Sequence, residues 1–534
     1  MRLGRGIAAL FATALVTAVF GAGSASADFG DLTFANCLDD VVGTDACEPG
    51  EATMGSPSDL VVSPDGKNAY SVGAGVEQMN TFDRDPATGA LTFTGCFEGP
   101  GMTDDCLSDV PPLIDPSAIT ISPDGRSIYV VSQTDDALIE FARDPATGAV
   151  DWDINGSCID DEDTQAATPA PCPNAKGLEQ PLAVTVSPDG ESVYVGSSDD
   201  DTIAQFKRKT DVPVTDPTYG RPDFDACYLT DGANEDGCTD ISSGGQIDIE
   251  LPSGIVVSPN LTSLYMTDSV RDSVITLDRI AAGGSIGDLN TPRCIEDAGG
   301  VFCDDGVPAT VDHTEGLNGA SGVAIAPTGS GQDSVYVTSV ADGAIVRFQR
   351  DNPSGTLSPV VCFSDNDDEV QAACTEIDGL GNDPPGSLDS GPNGHHPLAI
   401  SPDGRSVYVA ANQDNAITQF ARNPLTGGIV PDGCFGESDL AEIEEASCVP
   451  VGDQMEPTNA VAFGGDGFLY STSTFVINTF NRELDPPLPP PGPGTGTTSP
   501  PVTTPPPTTK KKKCKKKRKR VAAAKKKKCK KKKR

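Results

Sequence analysis

An all-β fold is predicted for this chain, a seven-bladed β-propeller closed by its own N-terminal strand, on three observations. A unit recurs seven times at spacings of 59 to 75 residues. Every copy carries a Tyr and an Arg at near-constant spacing, and every copy is accompanied by one local pair of cysteines. Self-similarity of this kind marks a repeat architecture, in which each unit buries its faces only against its neighbours.

The recurring phrase is an apolar segment, a Ser-Pro-Asp-Gly turn, a Val-Tyr-Val-like strand and a strand ending in Phe-x-Arg. Its clearest copies begin at Ser122, Ser187 and Ser401, and the equivalent first positions elsewhere are Ser63, Ser258, Ala326 and Phe463. Six copies place an aromatic or Leu 12 residues after a Tyr, as in Tyr70/Phe82, Tyr129/Phe141 and Tyr265/Leu277; the seventh, Tyr470/Phe480, is two residues shorter. Two residues further on stands Arg84, Arg143, Arg208, Arg279, Arg350, Arg422 or Arg482, one in each of the seven units. A residue present in every unit cannot mark a single site. These arginines are expected to pair with the turn acids Asp65, Asp124, Asp189 and Asp403, or with turn carbonyls. The tyrosines are expected to pack between blades.

Each unit reads as four short strands. In the second, Ala118 to Ile121 is the first strand, with Pro-Asp-Gly supplying the turn after it. Ser127 to Val131 is the second and Ala137 to Arg143 the third; after the turn Asp144-Pro145-Ala146-Thr147-Gly148, Ala149 to Asp153 begins the fourth. Four strands per unit, seven times over, is the pattern of a β-propeller. The seventh unit ends at Arg482 without a fourth strand. The segment Gly30-Asp31-Leu32-Thr33-Phe34-Ala35-Asn36-Cys37 matches Gly89 to Cys96, the fourth strand of the first unit. The N-terminal segment therefore completes the last blade and locks the ring.

Fourteen of the sixteen cysteines fall into local pairs: Cys37/Cys47, Cys96/Cys106, Cys158/Cys172, Cys227/Cys238, Cys294/Cys303, Cys362/Cys374 and Cys434/Cys448. Each pair lies between a fourth strand and the next first strand. Connectivity is ordinarily open in a cysteine-rich sequence; here the repeat supplies it. In an oxidising compartment these are disulfides, whereas a metal would find only two sulfurs and no nearby histidine at each pair.

The ends are expected to lie outside the ring. Residues 1–27, with Arg2 and Arg5, an apolar run from Ile7 to Phe20 and Ala25-Ser26-Ala27, read as a secretory signal. Residues 28–482 are then the propeller, and 483–509 a Pro/Thr-rich stalk of polyproline-like stiffness. Residues 510–534 form a disordered Lys/Arg-rich tail. No later run is long and apolar enough to span a bilayer. The net charge of −40 conceals a division: of 38 basic residues, 19 lie in the tail and two in the leader, leaving 17 against 78 acids in the body. So acidic a body argues against nucleic acid as its ligand and favours cations or basic partners. The tail suits adhesion to an anionic surface polymer of the cell, or to the protein's own acidic body, and its lysines should lower the thiol pKa of Cys514 and Cys529. The ring is expected to be monomeric, secreted and retained at the cell surface.

The run Ser401-Pro402-Asp403-Gly404-Arg405-Ser406-Val407-Tyr408-Val409-Ala410-Ala411-Asn412 resembles the YVTN-type β-propeller repeat. The wider arrangement, from Asp28 to Arg482, resembles the lactonase-type seven-bladed propeller family. That resemblance implies the fold; as to activity, the propeller hosts enzymes and pure binding modules alike. In members with lactonase or cyclase activity it implies a His with Arg and acidic partners on the channel face, typically as Pro-Arg-His before the Pro-Asp-Gly turn. Here Pro397 occupies the place of that His, and His395 and His396, the weak catalytic candidates, precede it without an Arg. His313 stands in a loop.

Two further expectations concern ligands. The face opposite the Pro-Asp-Gly turns gathers Asp135, Asp136, Asp199, Asp200, Asp201, Asp268, Asp272, Asp342 and Asp414, with Asp160 to Asp163 and Asp365 to Glu369. Such carboxylates suit Ca²⁺, but EF-hand spacing is absent, and solvated loop acids are the favoured reading. A binding or interaction module for an unidentified ligand or protein is the first functional expectation. A lactonase-like hydrolase or cyclase is the second, and a calcium-dependent adhesion module the third.

Overall fold

A computed structural model describes the chain from Leu32 to Arg482, except residues 40–46, 50–55, 74, 76, 102–105, 154–155, 162–171, 231–236, 242–246, 248, 284, 299–302, 304–312, 365–373, 378–396, 413–414, 437–447, 451–454, 456 and 475. The expected leader, stalk and tail lie outside the described residues, as do His395, His396, Asp414, Cys514 and Cys529.

The described strands form seven separate sheets, antiparallel except at one short outer strand in each, the blades of a propeller. Blades 1 to 6 span residues 59–109, 116–175, 181–240, 252–314, 320–376 and 398–450; blade 7 combines 460–482 with 32–49. Blade 3 shows the pattern: Pro181–Val186, Ser192–Ser197, Thr202–Arg208 and Pro222–Leu229 run up and down in sequence order. Its second strand is buried along its full length, because neighbouring blades cover both of its faces. The fourth strand is partly exposed at the rim. Apolar cores lie accordingly between blades: Tyr70, Val72 and Phe97 of blade 1 pack with Ile128, Val130 and Phe141 of blade 2.

The turn sequence has a local cause. In blade 2 the Gly125 amide donates to Ser122 O at 2.8 Å, and Gly125 adopts a φ of +66°. Ser122 Oγ donates to Asp124 Oδ1 at 2.6 Å and accepts from the Ser127 amide at 3.0 Å. Pro at the second position, a short polar side chain and a final Gly are what this turn selects.

Closure follows the expected route. Leu32–Asp39 pairs antiparallel with Val476–Arg482, from Leu32 opposite Arg482 to Asp39 opposite Val476. The blade therefore takes its outer strand from the other end of the chain.

Two details differ from the four-strand expectation. Each blade carries a fifth, two-residue strand that runs parallel to the end of the fourth, such as Thr239–Asp240 beside Tyr228 and Leu229. In blade 2 the fourth strand does not run on through Asp153. Val150–Asp151 pairs with Ala142 and Arg143, and pairing resumes only at Cys158–Asp161. Other blades accommodate a single β-bulge there, for example between Gln205 and Phe206, while blade 2 inserts a longer excursion.

The disulfides explain why the fifth strand stays beside the fourth. Cys37 joins Cys47 with a Cα–Cα distance of 4.8 Å, Cys96 joins Cys106 at 4.7 Å, and Cys158 joins Cys172 at 5.2 Å. Cys227 joins Cys238 at 4.9 Å and Cys294 joins Cys303 at 5.5 Å. Cys362 joins Cys374 and Cys434 joins Cys448, both at 4.6 Å. All seven are the local pairs expected from the repeat. The first cysteine of each lies on a fourth strand, and the second leads into a fifth. Cys47, Cys238, Cys374 and Cys448 stand directly before that strand, Cys106 and Cys172 two residues before it, and Cys303 ten residues before it. Each bond thus pins the returning chain to the outer edge of its own blade.

Candidate functional site

The ring has two faces and a channel, and the repeat assigns different side chains to each. On the face of the Pro-Asp-Gly turns, here the lower face, each repeat-wide Arg reaches the preceding blade. Arg143 of blade 2 donates Nε to Tyr70 Oη of blade 1 at 2.7 Å and Nη2 to Asp65 Oδ1 at 2.9 Å. Arg208 pairs in the same way with Tyr129 and Asp124, Arg279 with Tyr194 and Asp189, and Arg482 with Tyr408 and Asp403. Arg84 bonds Tyr470 and Asp466 and so joins blade 1 to blade 7. Where blade 4 has Asn260 in place of the acid, Arg350 bonds its amide oxygen at 2.9 Å. Where blade 5 has neither, Arg422 takes the Pro327 carbonyl at 3.0 Å. The tyrosines thus do more than pack. Six of their hydroxyls donate back to the second-turn glycine of the blade that sends the Arg, as Tyr194 does to Gly287 O and Tyr265 to Gly355 O, both at 2.6 Å.

This arrangement sets the local electrostatics. Burial alone would raise the pKa values of Asp65, Asp124 and Asp403. The Ser hydroxyl two residues earlier and the incoming Arg outweigh it and hold all three below the usual carboxylate range. Burial pushes the Tyr70 and Tyr470 phenols up to about 12. Seven copies of one bond set make a structural belt, not a site.

The upper face carries the acids, and here the expectation of solvated loop carboxylates needs correcting. Asp268 is buried and accepts four backbone N–H groups, from Glu250, Leu251, Val270 and Arg271, at 2.6 to 3.2 Å. Asp136 of blade 2 accepts the Gln180 amide at 2.8 Å, and Asp272 of blade 4 accepts the Gly319 amide at 2.7 Å, each on the way into the following blade. Asp200 and Asp342 accept the amides of Glu179 and Asn318. Asp136, Asp201 and Asp272 occupy the left-handed region immediately before a third strand, a conformation that short polar side chains tolerate. Asp136 and Asp272 thereby both make the turn and fasten it to the next blade.

The same crowding raises several carboxyl pKa values. Burial, with Asp136, Glu77 and Asp160 nearby, pushes Asp135 to about 6. Burial, with Asp297, Asp272 and Glu315 nearby, pushes Asp342 to about 7. Among the described residues no group of three or more His, Cys, Asp or Glu side chains converges. An open cleft of about 330 Å³ lies between blades 2 and 3, lined by Asp115, Gln133, Thr134, Asp136, Glu179 and Gln180.

The channel is lined by first strands, which approach one another across blade boundaries: Ser117 Oγ of blade 2 donates to Pro181 O of blade 3 at 2.8 Å. A Cβ on Gly254 would lie 2.7 Å from Ser321 O, so the backbones meet there only because the side chain is absent. Asp59 is fully buried; its Oδ1 accepts the Leu60 amide at 2.8 Å and its Oδ2 the Ile119 amide of blade 2 at 3.0 Å. Asn459 Oδ1 accepts from Asn412 Nδ2 at 2.7 Å. No Lys, Arg or His stands in the seven described first strands.

The histidines fare differently. His395 and His396 lie outside the described residues. Pro397, at the place the family resemblance reserves for a His, packs directly on blade 5: a Cβ on Gly322 would lie 2.4 Å from its Cγ. His313 is not in a loop but begins the fifth strand of blade 4, His313–Thr314, where its Nδ1 lies 3.2 Å from Oε1 of the buried Glu296.

The family model of the lactonase, 7-bladed beta-propeller, matches residues 52–158, which cover blade 1 and the first strands of blade 2. The chain thus resembles the lactonase-type propeller family. No curated protein matches it. Among solved structures, it is similar to a putative 6-phosphogluconolactonase from Bacteroides uniformis, at 18% identity over 70% of this chain and 83% of that one, with a TM-score of 0.43. It is similar to a periplasmic gluconolactonase from Pseudomonas aeruginosa, at 17% identity over 71% and 85% of the two chains, with a TM-score of 0.43. Hydrazine synthase from Kuenenia stuttgartiensis is also similar, at 14% identity over 82% and 99%, with a TM-score of 0.45. Likeness at this level says nothing about activity.

Proposed function

We propose that the chain is an exported, non-catalytic binding module, whose carboxylate-rich upper face receives a basic or polar partner while its basic tail adheres to anionic surface polymer. In this reading residues 1–27 are a leader, 28–482 the ring, 483–509 a spacer and 510–534 the adhesive tail. The observation that carries it is the state of Asp59. A channel carboxylate that serves as a general base must reach a substrate or water proton, which the fully buried Asp59 does not, and acyl-transfer chemistry needs a donor at the developing oxyanion. Both Asp59 oxygens already accept backbone N–H groups, and the described first strands offer no cation. The described upper-face acids, bonded to amides and crowded together, form a surface better suited to a cationic partner than to an anionic substrate.

A lactonase-like hydrolase or cyclase is the second reading, favoured by the family match over residues 52–158 and resting on His395 or His396. Lactone hydrolysis by the mature protein, compared with His395→Ala and His396→Ala, separates the two. We expect no turnover above background. Turnover abolished by either substitution would replace the binding reading with the enzymatic one. Adhesion is tested separately: retention on anionic polymer should require Lys510 to Arg534 and weaken as salt shortens the Debye length. Binding that survives tail deletion would move the anchor to the ring.

A further inference from the structure

Where one blade departs from six others, a site can exist that the repeat does not explain. The fourth residue of the third strand is Thr81, Glu140, Gln205, Thr276, Arg347, Gln419 or Thr479 in blades 1 to 7, so only blade 5 places a cation there. Blade 5 is exceptional a second time in the turn before that strand pair. Ten residues separate Ala326 from Tyr336, where each other blade has seven between the equivalent positions. The extra residues displace the turn and open a cavity of about 210 Å³ between blades 5 and 6.

The two departures meet. Ser330, Gln332 and Asp333 of the enlarged turn form one wall, Ser334, Arg347 and Gln349 the sheet side, and Thr426 of blade 6 the other wall. Arg347 is only 7% exposed. Its Nε donates to Ser334 Oγ at 3.3 Å and its Nη2 to the Thr426 carbonyl at 2.5 Å, with the Tyr336 hydroxyl also beside it. Among the described residues no carboxylate lies within ion-pair distance of it. The one acid of the cavity, Asp333, is spoken for by Arg350, whose Nη1 lies 3.1 Å from Oδ2. Burial and the neighbouring Arg422 both press the Arg347 pKa downward, as for a cation that lacks its counter-charge. A buried guanidinium without an acid is costly unless something supplies the negative charge. Bidentate oxyanions match its planar fork, and the hydroxyls of Ser330 and Ser334 add donors of the kind such groups accept.

We propose that the cavity between blades 5 and 6 is a binding site for a small oxyanion, a phosphate or sulfate group, held by Arg347 with Ser330 and Ser334. The site lies on the lower face, away from the acidic upper cleft, and does not depend on the function proposed above. Its open mouth admits either the free ion or the same group carried on a sugar.

Calorimetric titration of the full mature chain with inorganic phosphate, inorganic sulfate and a sulfated disaccharide tests this, in parallel with Arg347→Gln. Gln already stands at the same register in blades 3 and 6, as Gln205 and Gln419, so the sheet tolerates it. Anion binding by the basic tail is common to both proteins and cancels in the comparison. We expect one saturable site in the unaltered protein and at least tenfold weaker binding in Arg347→Gln. Ser330→Glu, at an exposed position on the cavity wall, should abolish binding without changing the melting temperature, which guards against a folding defect in the first variant. Tighter binding of the disaccharide would identify a carbohydrate-borne group as the occupant, and equal binding the free ion. Absence of a saturable site in the unaltered protein, or binding unchanged by both substitutions, would overturn the assignment.

Discussion

The hydroxyl of Tyr70 in blade 1 accepts the Nε–H of Arg143 from blade 2 at 2.7 Å and in turn faces the Gly148 carbonyl of blade 2 at 3.5 Å. One phenol is therefore held by two parts of the neighbouring blade, the end of its third strand and the turn that follows. Repeated round the ring, this contact converts seven weakly independent sheets into one cooperative unit.

Tyr70→Phe keeps the ring packing and removes only the hydroxyl, leaving the buried Arg143 Nε–H without its acceptor. The expected cost is about 1–3 kcal/mol, the range for an unsatisfied buried donor. Urea denaturation should show the loss as a lower midpoint with an unchanged slope, since the whole ring still unfolds together. A midpoint equal to that of the unaltered protein would mean that the belt contributes no stability.

Closure by the N-terminal strand predicts a global effect from a terminal deletion. Removing residues 28–47 exposes the edge of Val476–Arg482 and takes Leu32 out of the core between blades 6 and 7. The melting temperature of the whole ring should fall, and hydrogen exchange should accelerate in blades 1 and 6 as well as in blade 7. A truncated protein that melts where the full chain does would show that the ring closes without this strand.

Glu140 of blade 2 is 1% exposed, and burial pushes its pKa to about 7, against an ordinary value of 4.5. Its folded-state pKa is raised, so the folded protein binds the extra proton between about pH 4.5 and 7. Stability associated with Glu140 is thus fully present below pH 4.5 and lost as pH rises through 7. Glu140→Gln should remove that slope and stabilise the protein at pH 8 by an amount on the order of 3 kcal/mol, as the size of the shift requires. A pH–stability profile identical in the two proteins would exclude a protonated Glu140.

Reduction tests the seven staples. Each closes a loop of 9 to 14 residues at the outer edge of a blade, worth on the order of 3 kcal/mol in the chain-entropy model. Non-reducing peptide mapping should recover the seven local pairs, and reductant should lower the melting temperature by a large step. Links between blades, or free thiols at the fourteen paired positions, would refute the pairing.

Much of the architecture was written in short-range order. The turn Ser122-Pro123-Asp124-Gly125 dictates its own hydrogen bonds, the spacing from Tyr to Arg follows from one hairpin, and Cys227 finds Cys238 eleven residues away. Even closure was legible, because Leu32-Thr33-Phe34 repeats a strand motif and its absence after Arg482 left a vacancy to fill. What the linear chain did not reveal were contacts made at the distance of a whole blade. Arg143 and Tyr70 are 73 residues apart, and Asp136 and Gln180 are 44 apart. Neither separation has meaning until the closing of the ring brings the end of one blade's third strand against the preceding blade, and its upper turn against the entry to the following one. Asp136 and Asp272 therefore read as solvated acids in the sequence and become backbone acceptors in the fold. In the sequence Arg347 is one of the 17 basic residues of the body. It became singular only when the enlarged turn after Ala326 opened a cavity beside it, since a missing counter-charge is a property of the space around a side chain, not of its position in the chain.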